Sequence, residues 1–274
     1  MSFWSQFGLQ EGITAIGMEV QGLYDYGMLI LVLVFSFVSY SMFKVLVSSF
    51  SSRVCLESQW LEVVWTVVPF GLLLALGLPS IKLLYMMDEV DIPEVTVKVI
   101  GHQWYWSYEY MDFRGGQYSY DSYMVRDSSL EEGNYRLLEV DNRCVVSCLL
   151  QMRVLVTSED VVHSWAVPSA SVKVDGVPGR INQVGLCFLY PGVFYGQCSE
   201  LCGVNHSFMP ICVEAVSGKV FGDWIVDSHN GDVNVSGGSG GDGGYCSMVL
   251  SAIRYVVWGT LKVIGFLVGY YSES

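Results

Sequence analysis

The sequence contains little positive charge. Its 274 residues include 14 Lys and Arg against 27 Asp and Glu, which gives a formal net charge of −13 at pH 7. Residues 1–26 contain no Lys or Arg, so they match neither the charged start of a secretory signal peptide nor the Arg-rich pattern of a transit peptide. A chain this acidic is not expected to bind nucleic acid. It suits a basic partner protein, because complementary electrostatic fields speed the association of two proteins.

Charged residues of either sign are scarce, whereas apolar residues are abundant. Only 15% of the residues are charged and 52% are hydrophobic, with a mean hydropathy of +0.41, which is too apolar for an ordinary soluble domain. About 20 apolar residues cross a ~30 Å hydrocarbon core, and residues 27–47 and 63–87 meet this requirement. We therefore predict a lead-in over 1–26 and a two-helix membrane hairpin over 27–87. Lys44 and Arg53 place the connecting loop on the inner side of the membrane.

The middle of the chain has a different pattern. Residues 95–99 alternate apolar and polar side chains with a period of two. Similar short segments follow near 104–110, 135–140, 144–156, 161–167, 185–190, 193–197 and 211–216, and a short helix is expected over 221–227. Several short strands separated by Gly, Pro and Asn turns predict an all-β sandwich or barrel over residues 88–229.

One loop in this region concentrates metal ligands. Four soft or borderline ligands fall within twelve residues: Cys198, Cys202, His206 and Met209. Thiolate, imidazole and thioether together favour copper over a hard cation, and two thiolates could bridge two copper ions. A second imidazole must come from His102, His163 or His229, and His163 is the best candidate. A Cys198–Cys202 disulfide is the alternative, and the other six cysteines are interpreted as buried thiols.

The loop belongs to a set of four long motifs. Residues 101–110 read GHQWYWSYEY, 158–168 SEDVVHSWAVP, 174–180 VDGVPGR and 196–210 GQCSELCGVNHSFMP. In these motifs the sequence resembles subunit 2 of cytochrome c oxidase, from about residue 10 to about residue 228. The resemblance implies a cupredoxin-like Greek-key domain after the membrane hairpin, and a dinuclear copper centre, CuA.

The resemblance also implies roles for individual residues. The copper ligands would be His163, Cys198, the main-chain carbonyl of Glu200, Cys202, His206 and Met209. The Glu200 side chain would bind a magnesium ion shared with the catalytic subunit. Trp104 would receive electrons from cytochrome c, which would dock on Tyr105, Glu109, Asp121, Asp141 and Asp160. Arg114 departs from the acidic character of relatives near this surface. Glu62 would lie at the mouth of a proton channel, and Asp175 and Arg180 at the subunit interface, where a local salt bridge is the alternative.

The implied function is electron transfer within a larger enzyme. CuA would accept electrons from cytochrome c and pass them to haem a of catalytic subunit 1, where oxygen reduction and proton pumping occur, so this chain alone would not reduce oxygen. The expected location is the mitochondrial inner membrane, with the copper domain in the intermembrane space. Two alternatives stay open: a membrane-tethered structural protein whose loop is empty or holds zinc, and a quinol oxidase relative, although such relatives have lost these ligands.

The end of the chain lies outside the resemblance. Residues 230–244 are rich in Gly, Ser and Asp and predict a flexible linker. Residues 245–274 predict an apolar helix with a narrow polar stripe, and Gly265 and Gly269 match the small-residue contact of packed membrane helices. We expect a third membrane span here, with a surface-lying helix as the alternative.

Overall fold

The computed structural model describes residues 5–50, 54, 57–89, 92–111 and 118–230, with side chains to residue 228. Two long helices come first, α1 over Ala15–Val47 and α2 over Gln59–Asp88. Both are long and apolar enough to cross a membrane, as the hydropathy predicts. α1 begins at Ala15 rather than near residue 27, because Thr14 caps it by accepting a hydrogen bond from the Gly17 amide at 2.9 Å. Much of the predicted lead-in is therefore helical.

The residues just before α1 are attached to the β domain, which comprises residues 95–230. The Ile13 amide donates to the Ser169 carbonyl, and the Leu189 amide donates to the Ile13 carbonyl, both at 3.0 Å. The Thr14 hydroxyl donates to the Ala170 carbonyl at 2.9 Å. The Ile13 side chain is 8% exposed and belongs to the core of the β domain. The membrane hairpin is thus joined to the β domain at the start of α1 as well as through the chain after α2.

Ten strands lie within the described residues. They are β1 (Val95–His102), β2 (Tyr105–Tyr110), β3 (Tyr118–Ser122), β4 (Cys144–Ser147), β5 (Met152–Ser158), β6 (His163–Val167), β7 (Val172–Gly176), β8 (Asn182–Leu186), β9 (Gly192–Gln197) and β10 (Pro210–Val216). They form sheets of order β3-β2-β1-β5-β8, β4-β10-β9 and β6-β7. The non-sequential order and the parallel β1–β5 and β4–β10 pairs give the expected all-β, Greek-key type of domain.

The core lies between these sheets. β5 has a strictly alternating burial pattern, and its inward side chains Met152, Val154 and Val156 are at most 3% exposed. β2 alternates in the same way and places Trp106 and Tyr108 inside. Burying large side chains from facing sheets provides the main stabilisation of such a domain. The result is a rigid frame under the loops at one end.

Several local predictions differ from the structure. The strand expected over 135–140 is instead a series of turns, with Leu137 at a φ of 66° and only Val140 bridged to Met124. The segment 144–156 is two strands, β4 and β5, and the segment near 185–190 is β8 over Asn182–Leu186. Strands β3 and β7 were not predicted.

The described chain ends in a third helix, α3, over Gly218–Asn230. It is longer than the helix predicted over 221–227. Phe221 and Ile225 are each 4% exposed and belong to the core, which fixes this helix against the β domain. The predicted linker beyond residue 230 and the apolar segment 245–274 lie outside the described residues.

Candidate metal centre

The ligand loop is closed by the pairing of the strands on either side. β9 and β10 run antiparallel, and Gln197 pairs with Pro210. Residues 198–209 therefore leave and re-enter the sheet at neighbouring positions, which folds the loop back on itself. His163 is the first residue of β6 and is brought to the same end of the domain. The strand framework thus gathers residues from two distant parts of the sequence.

The five predicted ligand side chains converge. Cys198 Sγ lies 3.9 Å from Cys202 Sγ and 3.9 Å from His163 Nδ1. Cys202 Sγ lies 3.5 Å from His206 Nδ1 and 3.5 Å from Met209 Sδ. The ligand atoms of His163, Cys198 and Cys202 all lie within 4.8 Å of one another and are buried. The cysteines are free thiols, so the described structure is not the disulfide alternative.

The pKa values of the two cysteine thiols shift in opposite directions. Burial opposes ionisation of Cys198, but hydrogen bonding to His163 and to neighbouring backbone groups lowers its pKa to about 7. Burial and the neighbouring Cys198 charge raise the pKa of Cys202. Two adjacent thiolates repel each other, whereas a metal cation between them would stabilise both. The donor set therefore fits a metal ion better than it fits two free thiols.

His163 is oriented by a carboxylate. Its ring is 0% exposed, and its Nε2 lies 2.8 Å from Asp160 Oδ1. This bond leaves Nδ1 facing the sulfurs, as a metal-binding imidazole requires. Gly101 makes room for the ring, because a Cβ at this position would lie 2.8 Å from His163 Cδ2. Sequence reasoning placed Asp160 on the docking surface and missed this contact.

Two further groups of the ligand loop, the Met209 thioether and the Glu200 carbonyl, lie beside the cysteine sulfurs. Met209 is 2% exposed, so its thioether is held inside the site. The Glu200 carbonyl oxygen lies 3.3 Å from Cys198 Sγ, while the Glu200 side chain is exposed. The carbonyl and the carboxylate of Glu200 therefore point to different surroundings, as separate roles in copper and magnesium binding would need.

The aromatic run begins against the ligand loop. Trp104 is half-buried, and its indole Nε1 donates to the Cys202 carbonyl at 3.3 Å. The Gln103 side-chain amide donates to the same oxygen at 2.8 Å. Trp106 is buried and meets the His163 ring edge-on at 5.8 Å. Trp104 is thus the member of the run that has both solvent exposure and a direct bond to a cysteine ligand.

The predicted docking residues are each fixed by local contacts. Tyr105 stacks between His102 and Tyr123, with ring centroids 4.5 Å apart on each side. Glu109 pairs with Lys98 at 2.8 Å, so its charge is partly compensated. Asp121 and Asp141 accept 2.7 Å bonds from the Ser107 hydroxyl and the Tyr123 amide, respectively. Arg114 lies outside the described residues.

The remaining predicted residues are exposed. Glu62 lies in the first turn of α2. Asp175 accepts a 2.7 Å bond from the Ser164 hydroxyl, and Arg180 follows in a turn. In the described part of the chain no salt bridge joins Asp175 to Arg180. His102 pairs with Glu159 at 3.1 Å and, in the described part of the chain, is not among the residues whose ligand atoms converge. The side chain of His229 lies outside the description.

Two family models match the two parts of the chain. Residues 95–216 match the family described as "Cytochrome C oxidase subunit II, periplasmic domain", and residues 2–83 match its transmembrane domain. The chain is 47% identical over 230 residues to cytochrome c oxidase subunit 2 of Drosophila miranda and of Drosophila ambigua, which covers 84% of this chain and 100% of each relative.

The chain belongs to the cytochrome c oxidase subunit II family. It is therefore a subunit of cytochrome c oxidase and is anchored in the membrane by its helical hairpin. Membership implies a copper centre, and the donor set described above fits it. A solved periplasmic domain of subunit II from Bradyrhizobium japonicum is 43% identical, with 52% of this chain and 99% of that chain covered and a TM-score of 0.48.

Proposed function

We propose that this chain receives electrons from cytochrome c and passes them to haem a of the catalytic subunit through a dinuclear copper centre. The thiolates of Cys198 and Cys202 and the Nδ1 atoms of His163 and His206 would hold the two copper ions. The Met209 thioether and the Glu200 carbonyl would add weaker ligands. When bound, the two copper ions take up and release one electron at a time. The convergence of two thiols, two imidazoles and a thioether at one end of the β domain supports the proposal.

The protein contributes rigidity to this function. The cysteines, His163 and Met209 are buried, and the loop is pinned at both ends by paired strands. Ligands held in this way move little when the charge of the site changes, which favours fast electron transfer. A zinc site would use only Cys2His2 in a closed tetrahedron and leave the thioether unused. Metal analysis of the purified oxidase distinguishes the two: two copper ions with a shared unpaired electron support the proposal, and one zinc ion without a spin signal contradicts it.

The electron donor we propose is cytochrome c, bound on the surface around Trp104. Tyr105, Glu109, Asp121, Asp141 and Asp160 would form its docking surface. The carboxylates there and the net charge of −13 suit a basic haem protein, which the field would steer to the surface. The rate of electron transfer from cytochrome c should then fall with rising ionic strength. A rate that is independent of salt would contradict electrostatic docking.

We further propose the mitochondrial inner membrane as the location, with the β domain in the intermembrane space. The relatives matched over their whole length come from Drosophila species, which are eukaryotes. Glu62 would then lie on the matrix side, at the mouth of a proton channel. Asp175 and Arg180 would lie at the interface with the catalytic subunit. Replacing Glu62 with Gln in the assembled oxidase should slow proton uptake without changing the spin signal of the copper centre.

The Glu200 side chain is proposed to bind magnesium at the boundary with the catalytic subunit. It is exposed, and a carboxylate is a suitable hard ligand. Because Glu200 would bind copper only through its main-chain carbonyl, Glu200→Gln separates the two sites. The variant should lose Mn²⁺ binding in a substitution experiment and keep its copper content. Loss of neither metal would contradict the magnesium role.

For the segment 245–274 we propose a third membrane span, as its apolar composition and the Gly265 and Gly269 spacing suggest. An epitope placed after Ser274 would then lie on the matrix side. Protease added to the outer side of intact inner membranes should leave that epitope uncut. Cleavage from the outer side would show that the segment does not cross.

A further inference from the structure

Two hydrogen-bond donors from adjacent residues meet on one carbonyl of the ligand loop. The Gln103 side-chain amide and the Trp104 indole donate to the Cys202 carbonyl oxygen at 2.8 and 3.3 Å. A carbonyl oxygen has two lone pairs and accommodates both. The fit is close, because a Cβ on the next residue, Gly203, would lie 3.3 Å from both side chains. Gly203 also has a φ of 121°, which favours glycine at this contact.

Gln103 is bonded on its other side to the support of a second ligand. Its main-chain amide donates to Asp160 Oδ2 at 2.6 Å, and Asp160 Oδ1 lies 2.8 Å from His163 Nε2. Gln103 thus contacts the Cys202 segment through its side chain and the His163 support through its backbone. Its own side chain is exposed, so packing does little to fix it, and the two hydrogen bonds decide where it and the following residue lie.

We propose that Gln103 is a positioning residue that holds the Trp104 indole on the Cys202 carbonyl and so keeps open the path for incoming electrons. This inference rests on the proposed function, in which Trp104 receives the electron. From the indole, the path to the thiolate crosses one hydrogen bond and then only the covalent bonds of Cys202. By this path one electron from reduced cytochrome c would reach the Cys202 thiolate, which would hold the copper centre.

Removing the side-chain amide of Gln103 should weaken the positioning of the Trp104 indole while leaving Trp104 and Cys202 themselves unchanged. In Gln103→Met the side chain keeps its length but loses its donor, and the main-chain bond to Asp160 remains. The indole then depends on its own 3.3 Å bond alone. Because a misplacement of about 1 Å can cost about 10²-fold in rate, we expect electron transfer within the bound complex to slow by ten- to a hundred-fold.

The test uses the assembled oxidase and flash reduction of bound cytochrome c. Gln103→Met should slow electron transfer at saturating cytochrome c, leave KM unchanged, and keep both the copper spin signal and the rate of reduction by a small-molecule reductant. Gln183→Leu, which changes an exposed glutamine on β8, is the matched control and should behave as wild type. A second readout needs no turnover and uses fluorotryptophan in the detergent-solubilised full chain. The ¹⁹F resonance of Trp104 is assigned as the one that is missing from the spectrum of Trp104→Phe. This resonance should shift in Gln103→Met.

The outcomes separate the inference from the function on which it rests. The positioning role alone is overturned if Gln103→Met has a wild-type transfer rate and an unshifted ¹⁹F resonance while Trp104→Ala transfers electrons slowly. Loss of copper from Gln103→Met also overturns it, since the residue would then hold the metal site rather than the indole. Unchanged transfer in Trp104→Ala overturns the proposed role of Trp104 itself.

Discussion

Replacing Asp160 with asparagine decides between two roles for one carboxylate. Oδ1 lies 2.8 Å from His163 Nε2 and also accepts the Val161 amide at 2.5 Å, while Oδ2 accepts the Gln103 amide at 2.6 Å. Burial acts to raise the pKa of Asp160, but these hydrogen bonds outweigh it and lower the pKa. The carboxylate is therefore ionised and serves as an acceptor on both oxygens.

Asparagine keeps the shape but has only one acceptor oxygen. Its NH2 group must face either the Gln103 amide or the His163 ring, and both are donors in the native arrangement. If the NH2 group faces His163, the imidazole must change its tautomer and carry its proton on Nδ1, the atom that points at Cys198. Loss of such an outer partner usually reduces metal affinity 10- to 100-fold, which corresponds to about 1.4–2.7 kcal/mol.

Chelator competition on the purified oxidase measures this change, and the copper spin signal reports any distortion of the site. Asp141→Asn is the matched control, because Asp141 belongs to the same proposed docking surface but bonds to the Tyr123 and Asn142 amides. The control should keep wild-type copper affinity. The orienting role of Asp160 is refuted if Asp160→Asn keeps wild-type copper affinity and only raises the KM for cytochrome c, with the difference in KM disappearing at high salt.

Three further predictions concern the frame of the site. Ile13→Ala should lower the free energy of unfolding of the full chain by about 2–4 kcal/mol in a denaturant titration, because Ile13 is 8% exposed in the core. Leu9→Ala, at a 47% exposed position, should hardly change it, and equal effects of the two variants would contradict the core assignment. Gly196→Ala should prevent copper incorporation, since its Cβ would lie 1.8 Å from a main-chain oxygen; normal copper content would show that the loop adapts. Burial raises the pKa of the Cys144 and Cys212 thiols to about 12. As the pH rises, the unfolded chain therefore loses these protons before the folded chain does. The free energy of unfolding should fall above pH 9 by up to about 1.4 kcal/mol per pH unit for each thiol. Melting curves at pH 8 and 10 check this, and a double alanine variant that keeps the full loss would refute it.

The membrane hairpin and the ligand loop could be predicted because their signals are local. Continuous apolar runs define α1 and α2, and four ligands within twelve residues define the loop. The contacts that orient the site are not local. The Gln103 amide meets Asp160 across 57 residues and its side chain meets the Cys202 carbonyl across 99, and no periodicity in the sequence encodes such pairs.

The strand errors have a physical cause as well. Residues 135–140 read YRLLEV, and four of the six are apolar. Glu139, however, is 4% exposed and accepts bonds from the Tyr195 hydroxyl at 2.6 Å and from Arg143 at 3.2 Å. A buried carboxylate with these partners holds the segment in turns, so tertiary contacts override the local pattern. Strand β3 alternates Tyr118 and Tyr120 with polar residues, a period-two signal that could have identified it.

The proposed function requires that the thiols of Cys198 and Cys202 together hold two copper ions. Metal analysis combined with electron spin resonance on the purified oxidase tests it most directly, with Cys202→Ser as the comparison. We predict two copper ions per chain in this centre, a spin signal from one unpaired electron shared equally by both nuclei, and loss of that signal in Cys202→Ser. A single copper or zinc ion in the wild-type centre, or a shared-electron signal that survives in Cys202→Ser, would contradict it.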